Sequence, residues 1–290
     1  MSPFFAGASV LGLAALLAAA PPKPLPFSAD WYEPVEPVRI AGPIWYVGTK
    51  ELAAYLITTP QGDILLDGAV PGASTSIEAS IKKIPRDPAN IERLLITHAH
   101  FDHVGTLAHV KRATGARLAV MAGDVELLKT GGGSDYLFGH LYPFHFDPVP
   151  EIEDVLKDGD TIELGGVTLT AHATPGHTPG CTTWTTTVED GGRTYKVVFA
   201  GSISINPGTR LVHAPSYPGI LKDYRSAIAT LESLDPNIFL AAHASFFDLE
   251  HKRKRVKTEG AKAFVDPGGY KKWVAEGKAK LEKLAGAETK

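Results

Sequence analysis

The stretch Leu94-Leu95-Ile96-Thr97-His98-Ala99-His100-Phe101-Asp102-His103 constrains this chain more than any other. An apolar run, which reads as a buried strand over Ile91 to Thr97, ends in four potential metal ligands within six residues. Alternate side chains of a strand point the same way, so His98 and His100 can project together toward one ion. Asp102 and His103 follow where the chain turns, and His103 to Thr114 reads as a helix packed back on the sheet and stopped by Gly115. Imidazole and carboxylate donors together suit zinc, which is indifferent to exact geometry. A polar strand end would account for one such residue, not for three His and one Asp in this context.

A single zinc needs three protein ligands and an open position, and two ions need about twice that number. The remainder stands in informative places. Thr174-Pro175-Gly176-His177-Thr178-Pro179-Gly180 puts His177 in a tight turn that Gly and Pro fix. His243 ends the short apolar strand Ile238 to Ala242. Cys181 is the single cysteine, so no intrachain disulfide is possible, and one thiol in place of a Cys-x-x-Cys set argues that zinc is held by His and Asp.

Around these ligands the chain alternates strand and helix patterns. Val38 to Ile40, Ile44 to Val47, Ala53 to Thr59 and Asp63 to Asp67 read as strands with Gly- and Pro-containing turns between them. Ser74 to Ile84 is helical, with Ser74 or Thr75 available as a cap. Arg117 to Met121 is a strand, and Gly123-Asp124 opens a short helix to Lys129. From Thr130 to Pro150, glycines, prolines and aromatic residues break all regularity. Such a stretch inside a compact domain reads as a loop over a site, contacting substrate. His140 and His145 within it are read as loop hydrogen-bonding groups. The second half repeats the plan, with strands Thr161 to Leu164, Val167 to His172, Thr182 to Val188 and Thr194 to Ala200. A helix Asp223 to Leu234, the strand before His243, and a charged helical tail from about Leu249 to Leu284, interrupted near Asp266, complete it. The pattern by itself gives mixed α and β. His109, His172, His213 and His251 are read as structural or surface residues.

A formal net charge of −3 with scattered acids and bases offers no footprint for nucleic acid. The basic run Lys252 to Arg255 reads as a solvated helix face. Residues 4–20 are apolar and rich in Ala and Leu, with a small-residue pattern at Ala18 and Ala20. They are expected to be an export signal spanning 1–20, leaving 21–290 as a single domain, periplasmic or secreted and free of the membrane. Lys23 to Pro37 reads as an extended lead-in, with Trp31 and Tyr32 read as packing residues.

The motif His98-x-His100-x-Asp102-His103 resembles the signature of the metallo-β-lactamase superfamily. That resemblance implies an α/β fold, a four-layer αββα sandwich of two β-sheets flanked by helices. It assigns His98, His100 and His177 to one zinc and Asp102, His103 and His243 to a second, two ions per chain. An Asp-His-His second set without cysteine is similar to subclass 3 of the class B metallo-β-lactamases. Many other hydrolases of the superfamily carry a bridging aspartate where this chain has Ser202. A serine there, a second at Ser204, and the segments Gly176 to Trp184 and Val265 to Tyr270 are similar to subclass 3. The chain lacks the cysteine pair that staples some of its members.

The implied activity is hydrolysis of the β-lactam amide of penicillins, cephalosporins and carbapenems by a zinc-bound hydroxide. Asp102 would orient it, and Ser202 and Ser204 would hold the substrate carboxylate. The expected partner is this small molecule alone, and the expected state a monomer. Alternatives within the fold are a lactonase or thioesterase, against which Ser202 argues, and an oxygen-reducing di-iron protein, which generally has an acid where His100 stands. A non-catalytic binding module sits poorly with six intact ligands, and a serine β-lactamase lacks its Ser-x-x-Lys and companion elements.

Overall fold

The computed structural model describes residues 27–289; the expected export signal over 1–20 lies outside them. Four strands open the chain: β1 (Val38–Ala41), β2 (Ile44–Tyr46), β3 (Tyr55–Thr59) and β4 (Gly62–Leu66). Helix α1 (Ser74–Lys82) crosses to β5 (Ile91–Leu95). Helices α2 (Phe101–Val104) and α3 (Leu107–Thr114) lead to β6 (Arg117–Met121), then α4 (Val125–Lys129), the irregular loop and β7 (Asp154–Leu156). The second half holds β8 (Thr161–Leu164), β9 (Val167–Ala173), β10 (Thr182–Asp190), β11 (Arg193–Ala200), α5 (Ile220–Ser233), β12 (Ile238–Ala241), α6 (Leu249–Glu259) and α7 (Pro267–Glu288). Among the described residues no helix is long and apolar enough to cross a membrane.

The strands form two sheets, seven-stranded β1 to β7 in chain order and five-stranded β12-β11-β10-β9-β8. Period-two alternation builds the layers. Tyr55, Ile57, Ile64, Leu66 and Leu95 face the second sheet and pack with Trp184, Leu169 and Phe199. Their neighbours Leu56, Leu65 and Leu94 face outward onto Ile77 and Ile81 of α1 and Leu107 and Val110 of α3. On the other side, Tyr224, Ile228 and Leu231 of α5 and Tyr270, Val274 and Leu281 of α7 cover the second sheet. The result is the expected αββα sandwich. Two large polar side chains between the sheets find backbone partners: Tyr55 donates to the Ala241 carbonyl at 2.7 Å and the Trp184 indole to the Ile96 carbonyl at 2.9 Å.

Three local expectations are corrected. The single helix from His103 to Thr114 is two helices, because Gly105 passes so close to the chain before α1 that a Cβ would lie 2.1 Å from the Pro71 nitrogen. Gly115 does end α3, in the left-handed conformation at φ +73°. Neither Ser74 nor Thr75 caps α1: Ala73 takes that position, and its carbonyl accepts from Ser76 and Ile77. Strand β7 was not anticipated. It adds in parallel to β6, and its Asp154 pairs with Arg93 and Arg117.

Candidate metal centre

The centre lies where strand ends of both sheets meet. Beyond β5 the chain is pulled across the gap: the Thr97 carbonyl accepts the Thr182 amide at 2.7 Å, while the Thr97 amide and hydroxyl both reach the Asp67 carboxylate at 2.7 Å. Asp67 follows β4 with φ +61°, an unusual conformation for a non-glycine residue that aims its carboxylate under the site. The next loop is pinned by Asp124, fully buried, which accepts from the amides of Ala99 (2.8 Å) and Gly180 (2.7 Å) and from the Thr178 hydroxyl (2.8 Å). One carboxylate thus ties the His98–His100 segment to the turn that carries His177.

The six expected ligands converge. Donor atoms of His98, His100 and His177 lie within 4.8 Å of one another, and so do those of His98, Asp102 and His103. His243 stands beside the second group, its Nε2 3.7 Å from Asp102 Oδ2 and its ring 5.0 Å from that of His103. Asp102 and His103 sit on α2 and not in a bare turn. In this geometry His98 belongs to both groups, and His243 is the one expected ligand that neither group includes.

Partners fix the tautomers of the first set. Thr97 gives its hydroxyl proton to Asp67, so at 3.1 Å its oxygen can only accept from His98 Nδ1. Asp135 Oδ2, 3.1 Å from His100 Nε2, and the Ser204 carbonyl, 2.7 Å from His177 Nδ1, are acceptors as well. Each of these nitrogens therefore carries a proton and leaves a bare lone pair on the opposite one. His98 Nε2 is buried with no hydrogen-bond partner among the described residues, and His100 Nδ1 faces His177 Nε2 at 3.1 Å. Two lone pairs aimed at each other at that distance repel unless a cation or a proton lies between them. A zinc ion fits this donor set, and these contacts are the outer hydrogen bonds that metal-binding imidazoles use.

Charge follows the same logic. Burial, then the imidazoles of His103, His177, His100 and His243, hold His98 well below the ordinary histidine value. His177 is lowered to about 3, by burial and then by His100. Both rings are therefore neutral near pH 7, as ligation requires. Burial opposes charge on His103 and Asp102 too, but here the mutual attraction outweighs it. His103 is raised to about 10 by Asp102 and Asp67, and the Asp102 carboxyl falls well below the usual range. His243 Nδ1 lies 3.3 Å from Glu51 Oε1.

Ser202 is buried, its Oγ accepting the Ser204 amide at 3.2 Å, while Ser204 is partly exposed. The Ser204 carbonyl also accepts from Tyr224 at 2.9 Å. The aromatic loop covers one flank: Phe138 stacks on Phe144 (4.5 Å between centroids) and meets the His100 ring at 5.6 Å. Phe27 and Phe101 extend this wall, and Trp31 reaches the His243 ring at 6.2 Å, so the lead-in packs beside the site. His140 is exposed and His145 bonds its own loop at the Gly139 carbonyl. His109 and His251 pair with surface acids, and His172 with Thr185. Sequence reasoning missed Glu51, Asp67, Asp124 and Asp135 as supports. Only Asp67 carried a signal, a charge ending the apolar run Ile64-Leu65-Leu66.

The profile of the metallo-β-lactamase superfamily matches residues 52–243. The native FEZ-1 metallo-β-lactamase from Legionella gormanii is 42% identical, covering 87% of this chain and 95% of that one, with a TM-score of 0.84. The class B3 di-zinc metallo-β-lactamase LRA-12 from an Alaskan soil metagenome is 36% identical over 89% of this chain and 97% of its own, with a TM-score of 0.83. A hydroxyacylglutathione hydrolase from Methylobacterium nodulans is 28% identical, and the matched stretch spans 44% of this chain and 44% of that protein, less than half of either. The chain belongs to the metallo-β-lactamase superfamily and, within it, to the class B3 metallo-β-lactamases.

Proposed function

We propose that this chain is a zinc-dependent β-lactamase that opens the lactam amide of penicillins, cephalosporins and carbapenems. One observation carries the reading: six His and Asp ligands converge beside a turn that presents Ser202 and Ser204 where many hydrolases of the fold place a carboxylate. Two zinc ions would be held by His98, His100 and His177 and by Asp102, His103 and His243. When bound, such ions lower the pKa of water to about 7 and polarise a carbonyl, which supplies nucleophile and Lewis acid.

The remaining steps belong to the protein. Hydrolysis forms a C–O bond at the lactam carbonyl carbon and breaks the C–N bond, and the nitrogen takes up a proton. Asp102 is held ionised by His103 and His243, so its carboxylate can orient the attacking water, whose proton ends on the departing nitrogen. Ser204, partly exposed, holds the substrate carboxylate with a neutral donor, while Ser202, expected to share that role, is buried and already bonded to the Ser204 amide. Ser204 makes the open contact, and Ser202 supports its backbone. Phe138 and Phe144 give the bicyclic substrate an apolar wall and keep bulk water from that side.

Residues 21–290 would act as one domain after loss of an export signal over 1–20, as a periplasmic or secreted monomer. The test is hydrolysis of one member of each β-lactam class by protein of known metal content. Opening that a chelator abolishes and zinc restores is expected. A thioesterase reading draws support from the Methylobacterium relative, so hydroxyacylglutathione is assayed alongside. Thioester turnover without lactam opening, in protein holding two zincs, would reverse the assignment.

A further inference from the structure

Among the partners that fix tautomers in the first ligand set, one stands apart. Thr97 lies two residues past β5 and Ser204 four past β11, but Asp135 belongs to the irregular loop after α4. Its side chain is nearly buried, 3% exposed. It is also the centre of that loop. Its amide donates to the Gly132 carbonyl and its own carbonyl accepts from the Gly139 amide. Its Oδ1 accepts the amides of Leu137 at 2.8 Å and Phe138 at 2.6 Å. Oδ2 is left for His100 Nε2 at 3.1 Å. The neighbouring residues grip the same ligands: Tyr136 donates to the His177 carbonyl at 3.2 Å, and the Phe138 ring lies against His100.

We propose that Asp135 is a positioning residue that couples order in the loop to metal loading of the first ligand set, by holding His100 in the tautomer whose Nδ1 is free to ligate. The inference rests on the metal-centre reading above. One carboxylate does two jobs with its two oxygens: Oδ1 closes the loop turn, and Oδ2 makes His100 Nε2 a donor. If the loop opens, Oδ2 leaves, and His100 is free to rotate or to carry its proton on Nδ1. Coupling of this kind is reciprocal, so an ion that locks His100 must also favour the closed loop. A substrate approaching the centre would then meet a wall that the metal itself has set.

The experiment compares metal-free wild type with Asp135→Asn, adding zinc alone. Asparagine keeps an oxygen for the Leu137 and Phe138 amides but turns an NH2 toward the Nε2–H of His100, donor against donor. Zinc affinity, measured by competition with a chelating dye, is expected to fall about tenfold to a hundredfold. Amide exchange of residues 131–139 is expected to slow on zinc binding in the wild type and to change little in the variant. Equal affinity of the two proteins would overturn the proposal and leave the metal centre standing. Should the variant not fold, the wild type alone decides: zinc bound with no change in exchange at 131–139 would overturn the coupling. A wild type that binds no zinc would instead sink the metal-centre reading, and the inference with it.

Discussion

Replacing Asp124 by alanine should damage the fold and the centre together. Asp124 is fully buried and accepts three hydrogen bonds, from the amides of Ala99 and Gly180 and the hydroxyl of Thr178. Among the described residues it forms no ion pair, and burial pushes its carboxyl above the usual range despite those donors. Alanine strands two buried amides, each costing about 1–3 kcal/mol, and a hydroxyl that can turn to another acceptor. Relief of the buried charge offsets part of that. The expected loss is about 2–4 kcal/mol, large beside the marginal stability of a domain. Urea unfolding of the metal-free protein measures it, as a lower midpoint at an unchanged slope. Because Ala99 lies between His98 and His100, and Thr178 adjoins His177, zinc affinity should fall about tenfold or more in the same variant. A loss under about 1 kcal/mol with zinc affinity intact would refute the claim that this carboxylate joins the two ligand-bearing segments.

Four further outcomes follow. Ser204→Ala should raise KM for β-lactams more than it lowers kcat, whereas His177→Ala should collapse both; equal losses of kcat would argue against the assignment. His103 is raised to about 10 in the metal-free protein, so an ion entering beside Asp102 must displace its proton. Zinc affinity at that position should therefore weaken as pH falls, by about tenfold per unit for the one proton, and calorimetry in buffers of different ionisation enthalpy counts the proton released. Gly105→Val should lower the unfolding midpoint sharply, since a Cβ there meets backbone at 2.1 Å and 2.3 Å; an unchanged midpoint would mean the α2–α3 break adjusts freely. Chelator treatment should abolish lactam opening and zinc should restore it, read in a spectrophotometric β-lactam assay.

Most of the framework was legible in the sequence because two-sided burial writes a two-residue rhythm, as in Tyr55-Leu56-Ile57 and Ile64-Leu65-Leu66, whose side chains alternate between the two cores. The cluster of candidate ligands was legible because His-x-His-x-Asp-His is dense enough to exclude a bland reading, and its side chains do come together. What escaped has a common physical origin. Asp124 acts through backbone amides 25 and 56 residues away, and a backbone amide leaves no mark in sequence. Asp135 lies in an aperiodic loop, where only the folded turn says which way its oxygens face. Strand β7 is three residues long, too short for a rhythm, and is held by its pairing with β6 and by Arg93 and Arg117. The break at Gly105 comes from the close approach of Val70 and Pro71, a tertiary event that overrides a continuous helical pattern.

The placement of the centre follows from one topological fact. In the first sheet β4, β5, β6 and β7 run parallel, and in the second β11 runs parallel to β12, while the remaining pairs are antiparallel. Parallel neighbours end at the same edge, so the loops that follow them emerge together. Leu66 pairs with Leu95 and is followed by Asp67, while two residues beyond Leu95 come Thr97 and then His98. Ala200 pairs with Ala241, and just past them come Ser202 and His243. Trp184 and Thr182 then bind the loop after β5 from the opposite sheet, which brings the two edges against each other. Four strand ends thus feed one cleft, and each contributes a different kind of group: a supporting carboxylate, a ligand cluster, a pair of hydroxyls and a last ligand. Such an arrangement leaves the fold indifferent to what stands after β11. A carboxylate there would add a further negative group beside the candidate ligands. The buried Ser202, bonded to the Ser204 amide, adds no charge and keeps its turn rigid. On the proposed reading, the negative charge at that position would come from the substrate, as a carboxylate-bearing lactam supplies and a neutral ester does not.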